Sequence, residues 1–133
     1  MSTVTHIYDA IDRLAPFWLT LDFDNTGVLV GDRNREVSCA LLALDCTPAV
    51  VEQAKQLGAQ LIVTHHPVIF HPLKRVNEDA VVYQLIRSDI AVISAHTNLD
   101  IAMPRRESRT GARHTDFDVS VDPDLSTREA SRR

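Results

Sequence analysis

Apolar and polar positions alternate between two periods along this chain, and the changes of period mark its elements. Val4, Ile7, Tyr8, Ile11 and Leu14 recur at helical spacing until Pro16 stops the pattern, so an amphipathic helix with one buried face is predicted, capped by Thr3 or Thr5. The stretch Phe17–Val30 reaches the polar turn Gly31-Asp32-Arg33-Asn34-Arg35. Val37–Leu44 is then an almost unbroken apolar run, as expected of a strand covered on both faces, and Val28–Val30 is expected to pair with it antiparallel across the turn. Thr47-Pro48 is a helix start, a hydroxyl cap followed by proline at the first helical position. Val50, Val51, Ala54 and Leu57 form its buried stripe, and Gly58 ends it. Leu61–Thr64 is a second strand. After a loop over His65–Val76 holding Pro67 and Pro72, Asn77 is expected to cap a helix carrying Val81, Val82, Leu85 and Ile86, and Ile90–Ser94 is a third strand.

The resulting order, strand–helix–strand–helix–strand, predicts an α/β fold with a mainly parallel sheet and a βαβαβ core flanked by helices. Right-handed crossovers put the three strand C-termini on one edge, where open α/β sheets bind ligands. Asp45, His65, His66, His96 and Asp100 all fall just past those ends. Residues 1–103 are expected to form this domain. The stretch 104–133 holds seven of the fourteen basic residues, six acidic ones and little apolar periodicity, so it reads as a charged, disordered tail.

Composition changes this picture little. A hydrophobic share of 44% and a charged share of 24% are ordinary for a globular protein. The net charge of −4, with no clustered basic face before residue 103, argues against a nucleic-acid groove. No apolar run is long enough to span a membrane and the N-terminus lacks signal-peptide character, so a cytoplasmic protein is expected. Cys39 and Cys46 read as a buried small side chain and a loop thiol in preference to a disulfide or metal thiolates.

The candidate chemistry lies in Thr64-His65-His66-Pro67. An apolar run stops at two adjacent imidazoles, and the bend at a strand end lets both converge on one region. The segment His96-Thr97-Asn98-Leu99-Asp100 supplies another imidazole and a carboxylate at the next strand end. Mixed nitrogen and oxygen donors suit zinc, manganese or iron(II). On the same edge, Asp45 is read as a cap for the helix that starts at Thr47. Lys74-Arg75 is read as a solvated loop in preference to a phosphate contact, and Trp18 and Phe70 as packing or oligomer contacts. Asp22-Phe23-Asp24-Asn25-Thr26 resembles the Asp-x-Asp-x-Thr signature of haloacid-dehalogenase-type phosphatases, in which the first aspartate is the nucleophile. No late acidic pair supports it, and an acidic turn before the Val28 strand is the preferred reading.

Three segments together resemble the Nif-three-like family, also labelled GTP cyclohydrolase 1 type 2 homologues: Leu44-Asp45-Cys46-Thr47, Gly58–Pro67, and Ser94–Asp100. Asp24–Gly31 is similar to that family's N-terminal glycine motif, and the resemblance extends over about residues 4–102. It implies an α/β protein with a dinuclear site for divalent ions (zinc, iron, manganese or magnesium), assembled as a homo-oligomer, often a toroidal hexamer. It implies that His65 and His66 each ligate one metal, that Asp100 is a further ligand, and that His96 sits behind them, orienting a ligand. The activity implied is that of a metal-dependent hydrolase acting on a small molecule such as a purine nucleotide; the alternative is a metal-binding assembly protein without turnover. The family's pattern continues into a second half that ends in a histidine and a glutamate four residues later. Residues 104–133 do not match it, and His114 with Asp118 is a poor substitute, so an incomplete dinuclear site is expected in this chain.

Overall fold

The computed structural model describes residues 1–103 and, beyond them, only two short strands. The chain divides into two units, Met1–Ala102 and Met103–Arg133. The first contains β1 (Ser2–Thr3), α1 (Val4–Leu14), a 3-10 turn (Phe17–Leu19), β2 (Gly27–Val30), β3 (Glu36–Val37), β4 (Ala40–Ala43), α2 (Pro48–Leu57), β5 (Leu61–Thr64), α3 (Val81–Arg87), β6 (Ala91–Ser94) and α4 (Thr97–Ala102). In the second, β7 (Arg106–Glu107) and β8 (Arg113–His114) pair antiparallel. The remainder of 104–133, with the expected disorder and the His114–Asp118 pairing, lies outside the described residues.

The main sheet has the order β2-β6-β5-β4. Strands β4, β5 and β6 are parallel, and β2 joins β6 antiparallel. The expected βαβαβ core is therefore present, but two pairing expectations fail. Val28–Val30 does not pair with the Val37–Leu44 run: the polar turn at 31–35 carries the chain away, and β2 crosses to the far side of β6. Gly31 permits that departure. Its φ is +96°, and a Cβ there would lie 2.8 Å from the Ala91 Cα. The Val37–Leu44 run is also not one strand covered on both faces. It splits into β3, which pairs with β1, and β4, an edge strand in which exposed Ala40 and Leu42 alternate with half-buried Leu41 and Ala43.

Strand alternation sorts the core into two layers. Ile62 and Val92 face α2 and α3, packing with Val51, Ala54 and Leu85. Leu61, Val63, Ala91 and Ile93 face the other way, toward Val4 with Ile7, Tyr8 and Ile11 of α1. Local signals place the helices on these faces. The Thr3 hydroxyl accepts the His6 N–H while His6 Nδ1 accepts the Thr3 N–H, closing a capping box on α1. Thr47 caps α2 ahead of Pro48, and Gly58 ends it at φ 66°. Asn77 does not cap α3, which starts after Ala80; the Asn77 carbonyl instead accepts the Ala80 N–H in the preceding turn.

Strand register matters most for the site. Ala43 aligns with Thr64, and Thr64 with Ser94. Asp45, His66 and His96 each lie two residues past those aligned ends. Backbone bonds carry the alignment beyond the strands, from His66 N to Leu44 O (2.9 Å) and from Ala95 N to Thr64 O (3.0 Å). The buried hydroxyls of Thr64 and Ser94 bond at 2.7 Å beneath this row.

Candidate metal centre

The edge beyond β4, β5 and β6 gathers His65, His66 and His96. Their ring centroids are 5.1–5.6 Å apart, and one ligand atom from each lies within 4.8 Å of the others. Three mutually close rings could be ordinary packing, but the partners of their nitrogens argue otherwise. His65 Nδ1 lies 2.8 Å from the Ala95 carbonyl, His66 Nδ1 lies 2.6 Å from Asp45 Oδ1, and His96 Nδ1 lies 3.1 Å from both oxygens of Asp24. A carbonyl or a carboxylate only accepts, so each Nδ1 carries the proton and donates it. Each neutral ring is left with its lone pair on Nε2. This is the arrangement of metal-binding histidines, in which an oxygen acceptor behind the ring fixes the tautomer and orientation.

Asp100 enters from the first turn of α4, with Oδ1 3.6 Å from His65 Nε2. That is within reach for an ion pair but too long for a hydrogen bond. With 44% of its side chain exposed, its carboxylate is available as an oxygen donor. Three imidazole nitrogens and one carboxylate suit a borderline divalent ion. The donor set therefore fits the metal that the sequence suggests.

The turn that carries His96 is tied down on every side. Asn98 is fully buried; its Oδ1 accepts the His96 N–H (3.0 Å) and its Nδ2 donates to Ala15 O at the end of α1 (2.9 Å). The Thr97 hydroxyl donates to Asp24 Oδ2 (2.7 Å) and accepts the Leu21 N–H (3.0 Å). Asp24 itself has a fully buried side chain and takes further bonds from the backbone N–H groups of Thr97 (3.2 Å) and Asn25 (2.8 Å). Burial pushes its carboxyl pKa upward, but the bonds from Thr97, His96 and Asn25 outweigh that and hold it below its ordinary value. Asp24 is therefore an anion at neutral pH.

Of the four expected site residues, the rings of His65, His66 and His96 come together, and Asp100 lies beside His65. His96 stands in the ring cluster itself, nearer than the supporting position expected for it. Asp45 does not cap α2, because Thr47 does so with its own hydroxyl; its carboxylate goes to His66. Sequence patterning places Asp24 in an acidic turn and at the head of the glycine motif but gives it no part in the site, because it lies 72 residues from His96 and no spacing signals their meeting. The phosphatase reading loses its geometry: a 3-10 turn precedes Asp22, with no strand to present it, and four donors occupy the Asp24 carboxylate. Cys39 and Cys46 are free thiols, half-buried against the helix-side core and outside the cluster. Among the described residues no helix is long and apolar enough to cross a membrane.

Comparison with known proteins agrees with this architecture. A family model described as Duf34/NIF3 (NGG1p interacting factor 3) matches residues 2–105. A Clostridium perfringens protein named GTP cyclohydrolase 1 type 2 homolog is 44% identical over 98 residues, covering 71% of this chain and 37% of that protein. A protein of the same name from Halalkalibacterium halodurans is 38% identical over 99 residues, covering 71% and 27%. The chain thus spans well under half the length of these curated relatives. Among solved structures, a Bacillus cereus protein related to NIF3 superposes with a TM-score of 0.71 at 39% identity, covering 74% of this chain and 28% of that one. Reduced HcgD from Methanocaldococcus jannaschii superposes at 0.69 with 32% identity, covering 74% and 41%. The match over most of the chain, in sequence and in fold, makes this chain a member of the Duf34/NIF3 family.

Proposed function

We propose that this chain is a divalent-metal-binding protein whose donors are His65, His66 and Asp100, with His96 beside them, and that the site serves a hydrolase. The observation that carries this reading is the common anchoring of all three rings through Nδ1, together with the convergence of one ligand atom from each ring on one region. A histidine cluster that was only packed or surface-exposed would have no need of an acceptor behind every ring. A divalent ion held there supplies Lewis acidity for polarising a carbonyl, a ring carbon or an ester. The chain's own part is to fix the directions of the rings and present the Asp100 carboxylate.

The relatives named GTP cyclohydrolase 1 type 2 homolog suggest a purine nucleotide or a related small molecule as substrate. The three rings, with Asp100 beside His65, form one compact donor set among the described residues. We therefore propose about one tightly held ion per chain, an incomplete dinuclear set. Self-association into a homo-oligomer goes with exposed apolar side chains such as Trp18 and Phe23.

Elemental analysis of the purified chain after dialysis against zinc, manganese or iron(II) tests the metal claim. One equivalent is expected, falling to none in His65→Ala/His66→Ala; no bound metal in the folded wild type would overturn it. A hydrolase panel on the loaded protein, including nucleoside triphosphates, tests turnover. Full loading without turnover would leave a metal-binding assembly protein and would sink the enzyme reading alone.

A further inference from the structure

Asp24 has a place in the fold that the metal site alone does not explain. It lies before β2, outside the row of strand ends, yet its carboxylate is the most enclosed in the cluster: its side chain is fully buried, whereas those of Asp45 and Asp100 are 55% and 44% exposed. A buried carboxylate is costly unless its oxygens are well supplied with donors. Here the donors come from two places, the Asn25 N–H of its own turn and the His96–Thr97 segment, which provides the ring Nδ1–H, the Thr97 N–H and the Thr97 hydroxyl. Three of these four groups belong to the segment that carries one candidate donor, His96, and leads into the turn that carries another, Asp100.

We propose that Asp24 is a positioning residue: its carboxylate selects the Nδ1–H tautomer of His96, turns Nε2 into the cluster, and anchors through Thr97 the start of the turn bearing Asp100. This deepens the metal-site reading and rests on it only for the affinity it expects, since the tautomer is a property of the metal-free protein.

The bonding admits little else. Both Asp24 oxygens are equidistant from His96 Nδ1 at 3.1 Å, and each also accepts another N–H or O–H. No oxygen faces the ring as a donor, so a neutral His96 has its proton on Nδ1. In Asp24→Asn one oxygen becomes an NH2 group. At the Oδ2 position it would oppose two donors from Thr97, and at the Oδ1 position only the Asn25 N–H, so the second orientation costs less. Either way the NH2 group and the remaining oxygen both stand close to His96 Nδ1, so the ring no longer faces acceptors alone and its preference for the Nδ1–H form, the one that binds a metal through Nε2, is weakened.

Long-range nitrogen–proton correlation spectra of the metal-free protein, followed upward in pH until they stop changing, read the tautomer of the neutral ring directly. His96 is expected as the Nδ1–H form in the wild type and with a larger share of the Nε2–H form in Asp24→Asn. An Nε2–H form of His96 in the folded wild type overturns the proposal with no variant needed, and so does an unchanged tautomer in folded Asp24→Asn. Cobalt(II) titration then separates positioning from mere scaffolding. Asp24→Asn is expected to weaken binding about 10–100-fold, and to have no further effect in a His96→Ala background. An equal loss in both backgrounds assigns Asp24 a purely structural role and overturns the proposal. If the wild type binds no cobalt(II) while His96 holds the Nδ1–H form, the metal reading fails and the positioning of the ring stands.

Discussion

The two ends of the parallel sheet are both polar, but they use their polar groups differently. At the N-terminal end, Gln60 spends its whole amide on the backbone. Its Oε1 accepts from Ser38 N (2.9 Å), Cys39 N (3.1 Å) and the Ser38 hydroxyl, and its Nε2 donates to Gly58 O (2.7 Å). Nearby, Lys55 pairs with Glu52 and Arg35 with Asp89. Most of these groups are committed to one another, the exception being Arg35 Nε, which is buried without a hydrogen-bond partner. At the C-terminal end the bonds run through Nδ1 of three imidazoles and stop there, so each ring keeps an uncommitted lone pair. What distinguishes a binding edge from a structural one is therefore the capacity left over after internal bonding, and the polarity of the two ends says little about it.

The strongest way to break this comparison is His65→Ala/His66→Ala. Metal affinity should fall by more than the roughly 10–100-fold typical of a supporting partner, while the thermal unfolding midpoint of the metal-free protein stays near that of the wild type. A large loss of stability would mean that the rings act as packing. Gln60→Ala should do the reverse. Removing the acceptor of the exposed Ser38 N–H and the half-buried Cys39 N–H costs about 0.5–1.5 kcal/mol, readable by urea unfolding, and metal affinity should be unchanged.

Asp45→Asn sharpens the picture within the C-terminal end. The Asp45–His66 bond is short but about half exposed on both sides, so water can partly replace the carboxylate. A metal-affinity loss of about tenfold is expected, the low end for such a partner, as measured by competition with a chelating dye. The smallest effect concerns Cys46, whose thiol pKa burial raises to about 11. Its thiolate is scarce at pH 8, so iodoacetamide should label it slowly, and labelling should accelerate as the pH rises toward 11. Fast labelling at pH 8 would show that the core beside α2 opens readily.

Where one segment fixed a feature, the sequence was enough to see it. The Thr47-Pro48 start and Gly58 stop of α2, the apolar run of β5 and the histidines after it are each set by neighbours a few residues apart. Parallel strands joined by helices then carry His66 and His96 to one edge without further information. Features decided by choices between distant segments were hidden. β2 joins β6 because the turn around Gly31 leads away from β4, and hydropathy gives no sign of a φ of +96° there. The Val37–Leu44 run looked like a central strand because apolar content does not say whether a strand lies at an edge. Asp45 had a sound local use as a helix cap, but Thr47 took it. Asp24 acts only through a turn far along the chain, and its surroundings before β2 carry no periodicity at all.

The in-register ends of β4, β5 and β6 act as a ruler. Side chains two residues beyond each end occupy one line whose repeat is the spacing of hydrogen-bonded strands, about 4.8 Å, and whose phase is fixed by Ala43, Thr64 and Ser94. The backbone thus decides where Asp45, His66 and His96 stand along the edge, and the side chain decides only what each offers there. The line can be rewritten one residue at a time, carboxylate for imidazole or the reverse, without refolding the sheet that carries it.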